Sequence, residues 1–331
     1  MLNDQAFLNA KLFEKDLEQV PSRDGFGEGL LILGEENPQV VVLCADLSES
    51  TRVQAFAEKY PERFVEMGVA EQNLASVGSG MAAAGKIPYI TSYATFSPGR
   101  NWEQIRTTIC YNNQPVKVIG SHAGISVGPD GATHQAIEDL ALMRVLPEMV
   151  VISPADSLEA QKATIEMAKI NKPCYLRLSR EKVPLITTEK TPFKIGQAEI
   201  YFEGKDVTII ATGQMVYKAL LAAKELKEQG ISVRVINCHT IKPLDTKTIL
   251  KAAEETGALV TVEEHQVFGG LGSAVSEQIS QKFPVPLKII GIEDRFGESG
   301  KPEELLEKFG LTVQNIIHGV VTVLRMKSRL R

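Results

Sequence analysis

The chain is poor in several features that would point to other kinds of protein. Its four cysteines in 331 residues, Cys44, Cys110, Cys174 and Cys238, stand far apart and form no CxxC pair. That spacing excludes a disulfide-stapled or zinc-ribbon domain and predicts reduced, buried thiols in a reducing compartment. Long apolar runs are missing. The longest are strand-length, as at residues 40–45, far short of the ~20 residues that a membrane-spanning helix needs, so no membrane partner is expected. A basic excess is missing too, the formal net charge being −5. Nucleic-acid binding draws its affinity from Lys and Arg on phosphates, so no nucleic-acid partner is expected either. The first twenty residues mix acids and bases without an apolar centre, unlike a signal or transit peptide, and the expected location is cytoplasmic. Neither a 20–50-residue repeat nor a low-complexity tract interrupts the chain.

What remains is an ordinary globular mix, 44% hydrophobic and 23% charged, over a length that suits about two domains. Strand-like and helix-like segments alternate. Strands are expected at 39–45, 64–67, 87–93, 116–120, 150–152 and 174–178, and helices at 51–60, 71–86, 102–111, 133–143 and 157–170. Such alternation predicts an α/β fold with a doubly wound parallel sheet covered by helices. The pattern weakens near Pro184 and Pro192 and then restarts, with strands at 207–211, 233–237, 259–262 and 287–292 and helices at 215–229, 246–256, 273–282 and 311–324. The expected organisation is an N-terminal extension (1–20), a first domain (21–185), a linker (186–205) with an edge strand at 198–201, and a smaller α/β domain (206–331).

Chemistry concentrates in a few stretches. Glu71, in Gly68-Val69-Ala70-Glu71-Gln72-Asn73, stands where a short strand gives way to a helix. Ligands bind beyond the carboxyl ends of strands in open parallel sheets, although locally a helix-start glutamate favoured by the helix dipole accounts for the residue as well. Tyr93 and Phe96 close the next strand, followed by Pro-Gly-Arg-Asn-Trp-Glu-Gln-Ile-Arg at 98–106. A glycine-rich loop at 120–134 then carries His122, Asp130 and His134. Glycines let backbone approach a ligand closely, and neutral histidines suit proton transfer.

In chain order stand Arg23, Ala-Asp-Leu-Ser at 45–48, Ala-Glu-Gln-Asn at 70–73, Gln-Ile-Arg at 104–106, Asp-Gly-Ala-Thr-His at 130–134 and Leu-Ser-Arg at 178–180. This ordered set resembles the C-terminal part of transketolase, a thiamine-diphosphate enzyme. The likeness covers the family's pyrimidine-binding domain over residues 20–185 and its C-terminal domain over 200–325. The resemblance implies transfer of a two-carbon ketol unit from a ketose phosphate to an aldose phosphate, and it implies roles by position. Glu71 matches the glutamate on N1′ of the aminopyrimidine, where a shared proton favours the tautomer that activates the cofactor. Phe96 matches the ring that stacks on the pyrimidine, Tyr93 a second wall, and Asp46 a residue near the thiazolium. His122 and His134 match substrate-facing histidines with a catalytic part, and Asp130 the partner of a sugar hydroxyl. Arg23, Ser50 and Arg180 match the cluster that grips the sugar phosphate, a task suited to forked guanidinium donors. The segment between Phe96 and Arg106 is about a residue shorter than in several relatives, which leaves Arg100 and Trp102 without an assigned role.

One family element is missing. Mg²⁺ (or Ca²⁺) and the diphosphate are held in transketolases by a Gly-Asp-Gly motif and a later Asn, oxygen ligands that suit a hard cation. No Gly-Asp-Gly occurs in the sequence, and no metal ligand is assigned to this chain. The resemblance therefore implies a separate N-terminal transketolase subunit that supplies the diphosphate and metal site. The cofactor would lie between chains, most simply in an α2β2 heterotetramer, with self-association possible. The β subunit of a 2-oxoacid dehydrogenase, the C-terminal half of a deoxyxylulose-phosphate synthase and a non-catalytic scaffold remain as alternatives; His122 with Asp130, His134 and Arg180 favours transketolase. The glycine-rich stretch 263–274 fits either anion binding at a helix start or tight packing. His239 and His318 read as structural.

Overall fold

Val40, Val42 and Cys44 pack among Phe26, Leu30, Phe56 and Ala160, whereas Val41 and Leu43 of the same strand pack among Leu74, Ala75 and Ile109. Alternate residues of a strand face opposite sides, so both faces of this sheet are covered by helices, the arrangement that a continuous Val-rich strand demands. The computed structural model describes residues 1–330. Its first sheet runs in the order Thr240–Lys242, Val150–Ile152, Cys174–Arg177, Lys117–Ser121, Ile87–Tyr93, Val40–Cys44, Phe64–Glu66. All neighbours are parallel except the first pair. A second sheet runs Leu287–Ile292, Leu259–Gln266, Val207–Ala211, Val233–Asn237, Glu199–Phe202, parallel but for the last strand, which closes one edge. The doubly wound α/β reading is met, and the four cysteines are free and buried.

Three local expectations need correcting. The helix expected over 133–143 spans only Asp139–Arg144; residues 133–138 continue the loop, because Gln135 is spent on holding that loop's carbonyls. A helix over Ser22–Glu36 went unread. Its glycines lower helix propensity, yet they let it lie against the helix Ser157–Ala168: a Cβ on Gly25 would stand 1.8 Å from the Ser157 carbonyl oxygen. The strand expected over 259–262 runs on to Gln266, carrying Glu263, Glu264 and His265 into the core.

The two halves interlock. Thr240–Lys242, from the second half of the chain, forms the antiparallel edge of the first sheet. The N-terminal residues lie on the second half: Asn3 N–H donates to the Tyr201 carbonyl at 3.0 Å, and Leu12 and Leu17 join the core around Val207 and Leu220. Glu159 sits between the halves, 1% exposed. It accepts from Ala155 N–H at 2.6 Å and from Asn237 Nδ2 at 2.7 Å. Burial, and then the neighbouring Asp156 carboxylate, push the Glu159 carboxyl from 4.5 up to about 8.

That shift has a sign. A carboxyl whose folded pKa lies above its unfolded value contributes stability that is full at low pH and lost as pH rises through the folded value. Each pH unit across that window is worth on the order of 1 kcal/mol. Glu159→Gln is therefore expected to leave the unfolding midpoint unchanged near pH 4.5 and to raise it near pH 9. Asn237 Oδ1, buried without a partner, can turn to meet the new amide. Thermal melts at the two pH values check this; equal midpoints for variant and parent near pH 9 would refute it.

Candidate active site

Loops beyond the carboxyl ends of Val40–Cys44, Phe64–Glu66, Ile87–Tyr93, Lys117–Ser121 and Cys174–Arg177 converge at one end of the first sheet. Two of them build a wall of rings. Tyr93 stacks on His122 with centroids 3.9 Å apart and lies parallel to Phe96 at 6.0 Å. His134 meets both edge-on, at 6.2 Å from Tyr93 and 5.4 Å from Phe96.

His122 is fixed in one tautomer. Its Nε2 lies 3.3 Å from Arg23 Nη1 and its Nδ1 lies 2.9 Å from Ser121 Oγ. Guanidinium only donates, so Nε2 must accept and the proton resides on Nδ1, donated to Ser121. Burial, then the positive charges of Arg23, Arg180 and Arg52, drive the imidazole pKa down to about 3. His122 is thus a neutral base with its lone pair directed toward the arginines. Its φ of +56° aims the ring back over Tyr93, in a backbone region that non-glycine residues rarely enter.

The cations near it form a cluster. Arg23 Nη1 donates to the Ser50 carbonyl at 2.8 Å, while its Nε is buried without a partner. Arg52, not singled out from the sequence, pairs with Asp24 at 2.7 Å. Arg180 donates to the Val127 carbonyl at 2.5 Å and stands 3.6 Å from Asp130. Ser50 thus offers its carbonyl, not its hydroxyl, to Arg23. An orphaned buried guanidinium donor with two further guanidiniums nearby is a site arranged for an anion.

Glu71 begins the helix Glu71–Ala83 and is 2% exposed. Arg100 donates to its Oε2 at 2.7 Å and lies over the Phe96 ring at 4.7 Å. Asn101 Nδ2 holds the Glu71 carbonyl at 3.0 Å. Arg100 therefore acquires a place that the sequence did not assign: it is the ion partner of Glu71. No local signal marks this pairing, since Glu71 and Arg100 stand 29 residues apart. Trp102 donates Nε1 to the Leu142 carbonyl at 2.8 Å, a packing contact. Asp46 is exposed at a turn with φ +58°, and its N–H donates to Glu66 Oε1 at 2.7 Å. The same oxygen holds the Gly68 N–H at 2.9 Å, so Glu66 staples two of the site's turns together.

A flat, basic heteroaromatic ring would meet a buried carboxylate and an aromatic face here once Arg100 moves aside. Glu71 offers a buried carboxylate, Phe96 a face, and Thr95 Oγ1 is buried without a partner. Among the described residues, no three His, Cys, Asp or Glu side chains converge as metal ligands would. The glycine-rich stretch of the second half is accounted for by packing. Glu263 accepts from the N–H groups of Leu271 and Gly272, both at 2.7 Å, so the chain's own carboxylate occupies the helix start. Burial pushes that carboxyl up to about 7. His239 is buried against Phe193 at 4.4 Å.

Comparison with known proteins assigns both halves of the chain to one family. Residues 18–185 match the family model "Transketolase, pyrimidine binding domain" and residues 196–316 match "Transketolase, C-terminal domain". A "Putative transketolase C-terminal section" of Methanocaldococcus jannaschii is 45% identical over 89% of this chain and 93% of its own length. The "6-deoxy-6-sulfo-D-fructose transketolase subunit SqwH" of a Clostridium species is 41% identical over 96% of this chain and 98% of its own. A solved structure described as "Split gene transketolase, inactive beta4 tetramer" superposes with a TM-score of 0.88 at 47% identity, covering 93% of this chain and 99% of that one.

Proposed function

This chain belongs to the transketolase family, and we propose that it is the subunit of a two-chain transketolase that carries the pyrimidine-binding and C-terminal domains. A separate subunit supplies the diphosphate and Mg²⁺ site, and the active species is a heterotetramer. The reaction is transfer of a two-carbon ketol unit between sugars bearing a terminal anion, such as xylulose 5-phosphate and ribose 5-phosphate of the pentose phosphate pathway. The observation that carries this reading is the buried Glu71, joined through Arg100 to the Phe96 ring, with a neutral histidine and an arginine cluster at the same strand ends.

Thiamine diphosphate, when bound, supplies the nucleophilic carbon that takes and releases the ketol unit. This chain's own residues do the rest. Glu71 holds a proton at the pyrimidine's N1′, for which Arg100 must swing off the carboxylate; Arg100 is half exposed and can reach water. Phe96 and Tyr93 exclude water from one face. His122, neutral, accepts a sugar hydroxyl's hydrogen bond at Nε2 once Arg23 turns from that nitrogen to the anion. His134 and Asp130 bind hydroxyls along the chain of the sugar, while Arg23 and Arg180 hold its anionic end, with Ser50 orienting Arg23. Asp46, exposed at its turn, stands near the thiazolium. A guanidinium cluster accepts phosphate and sulfonate alike, which is consistent with a sulfo-sugar relative.

The test is ketol transfer from xylulose 5-phosphate to ribose 5-phosphate with thiamine diphosphate and Mg²⁺. It is run on the chain alone and on the complex the chain captures from its own cells. Turnover is expected only in the complex. Turnover by the chain alone would refute the two-chain reading, and turnover in neither, with sulfo-sugar donors also failing, would refute ketol transfer.

A further inference from the structure

We propose that the second half of the chain shapes the substrate-facing loop 122–134, with Glu264 as the positioning residue. This rests on the reading of that loop as the sugar-binding loop. The loop cannot hold itself. His122, Gly124, Gly128 and Gly131 all have left-handed backbones, with φ of +56°, +86°, +81° and +75°, and the loop's 3-10 turns over Ile125–Asp130 are broken at Gly128, so it has no continuous hydrogen-bond ladder of its own. Its buried backbone groups must find partners elsewhere.

They find them across the boundary between the two halves. Ser126 N–H donates to Glu264 Oε1 at 2.7 Å. Gln214 Nε2 donates to the other Glu264 oxygen and, at 2.9 Å, to Ser126 Oγ. The fit leaves no slack: a Cβ on Gly124 would stand 2.3 Å from Glu264 Oε1. Gln135 Nε2 ties the loop's Ile125 and Gly128 carbonyls, both at 3.1 Å, to the Glu298 carbonyl at 2.9 Å. Glu264 is itself anchored, since its carbonyl accepts from Arg177 Nη2 at 2.9 Å and Arg177 Nε pairs with Asp139 at 2.8 Å. The loop is pinned behind by Glu264 and presents His122 and His134 to Tyr93 in front. A carboxylate 4% exposed is costly to bury unless its acceptors are fully used. Here they hold the one loop that carries three of the proposed sugar contacts.

The experiment compares the parent chain with Glu264→Ala and Glu264→Gln. Amide hydrogen exchange of the full chain is the first readout. In Glu264→Ala, exchange across 124–131 is expected to rise about tenfold or more, as for a locally opened segment, while strands 40–44 and 207–211 exchange as in the parent. In the two-subunit complex, KM for the sugar phosphates should rise about tenfold, a misplacement effect, with thiamine diphosphate binding unchanged. Glu264→Gln, which keeps an acceptor for Ser126, should recover most of both. Gln214→Ala, which leaves that acceptor in place, provides a milder loosening of the same segment should Glu264→Ala fail to fold. Unchanged exchange in the loop, or a rise spread evenly over the chain, overturns the proposal. Selective loosening with unaltered KM would overturn the sugar-loop reading and leave the coupling standing.

Discussion

Replacing Glu71 with glutamine is expected to cut ketol transfer by the two-subunit complex about 10²–10⁴-fold, the range for losing a positioned proton donor or acceptor. Glutamine keeps the shape of the side chain and removes only the protonatable oxygen. Glu71 is 2% exposed, so deleting its side chain would open a cavity, whereas the amide fills the same space. Its ion partner Arg100 has a side chain 47% exposed. Breaking the pair therefore strands no buried charge, and the large penalty of a half-removed buried ion pair does not arise. The Asn101 contact is to the backbone carbonyl of residue 71 and survives. Folding and association with the partner subunit should stay within about 1 kcal/mol of the parent, as for surface-reaching substitutions. Turnover should fall without a matching rise in KM for the sugars, which touch other residues. A variant with parental kcat would remove Glu71 from the chemistry. Parallel losses of assembly and activity would make its role structural.

Much of this arrangement is legible in the sequence, for identifiable reasons. Continuous apolar strands such as 40–45 announce a sheet covered on both faces, and the strand ends then mark where chemistry can sit. Tyr93, Phe96, His122 and His134 fall at such ends and meet in space. What is not legible are features that arise from distant pairing. Arg52 and Arg100 are ordinary surface arginines until the fold places them beside His122 and Glu71. Glu263 and Glu264 look like the polar end of a strand, yet both are buried, one capping a helix and the other holding a loop. The helix Ser22–Glu36 was hidden because its glycines, poor helix formers, serve a close contact that only the partner helix reveals. In each case local propensity was overridden by a contact between residues far apart in the chain.

The arginine cluster makes the second large prediction. Arg23→Gln should lower kcat/KM for a phosphorylated ketose about 10–100-fold, which corresponds to one charged hydrogen bond of about 1.5–3 kcal/mol. A donor without a terminal anion should lose less, since for it the variant acts only through His122, so the ratio between the two is the diagnostic quantity. A second consequence follows from His122. Its pKa is driven down to about 3 by burial first and by Arg23 second, so losing that charge moves the imidazole back up, toward 6.5. A histidine with a depressed folded pKa contributes stability present above its unfolded value and lost as pH falls toward the folded one. The variant's acid-side loss of stability should therefore be shallower than the parent's, even as its sugar affinity drops. Kinetics with anionic and neutral donors, together with melts between about pH 4 and pH 7, read both effects. Equal losses for the two donors would move the anion's grip away from Arg23 and onto Arg180 and Arg52, while an unchanged acid limb would show that the solvation of His122, rather than its neighbour's charge, keeps it neutral.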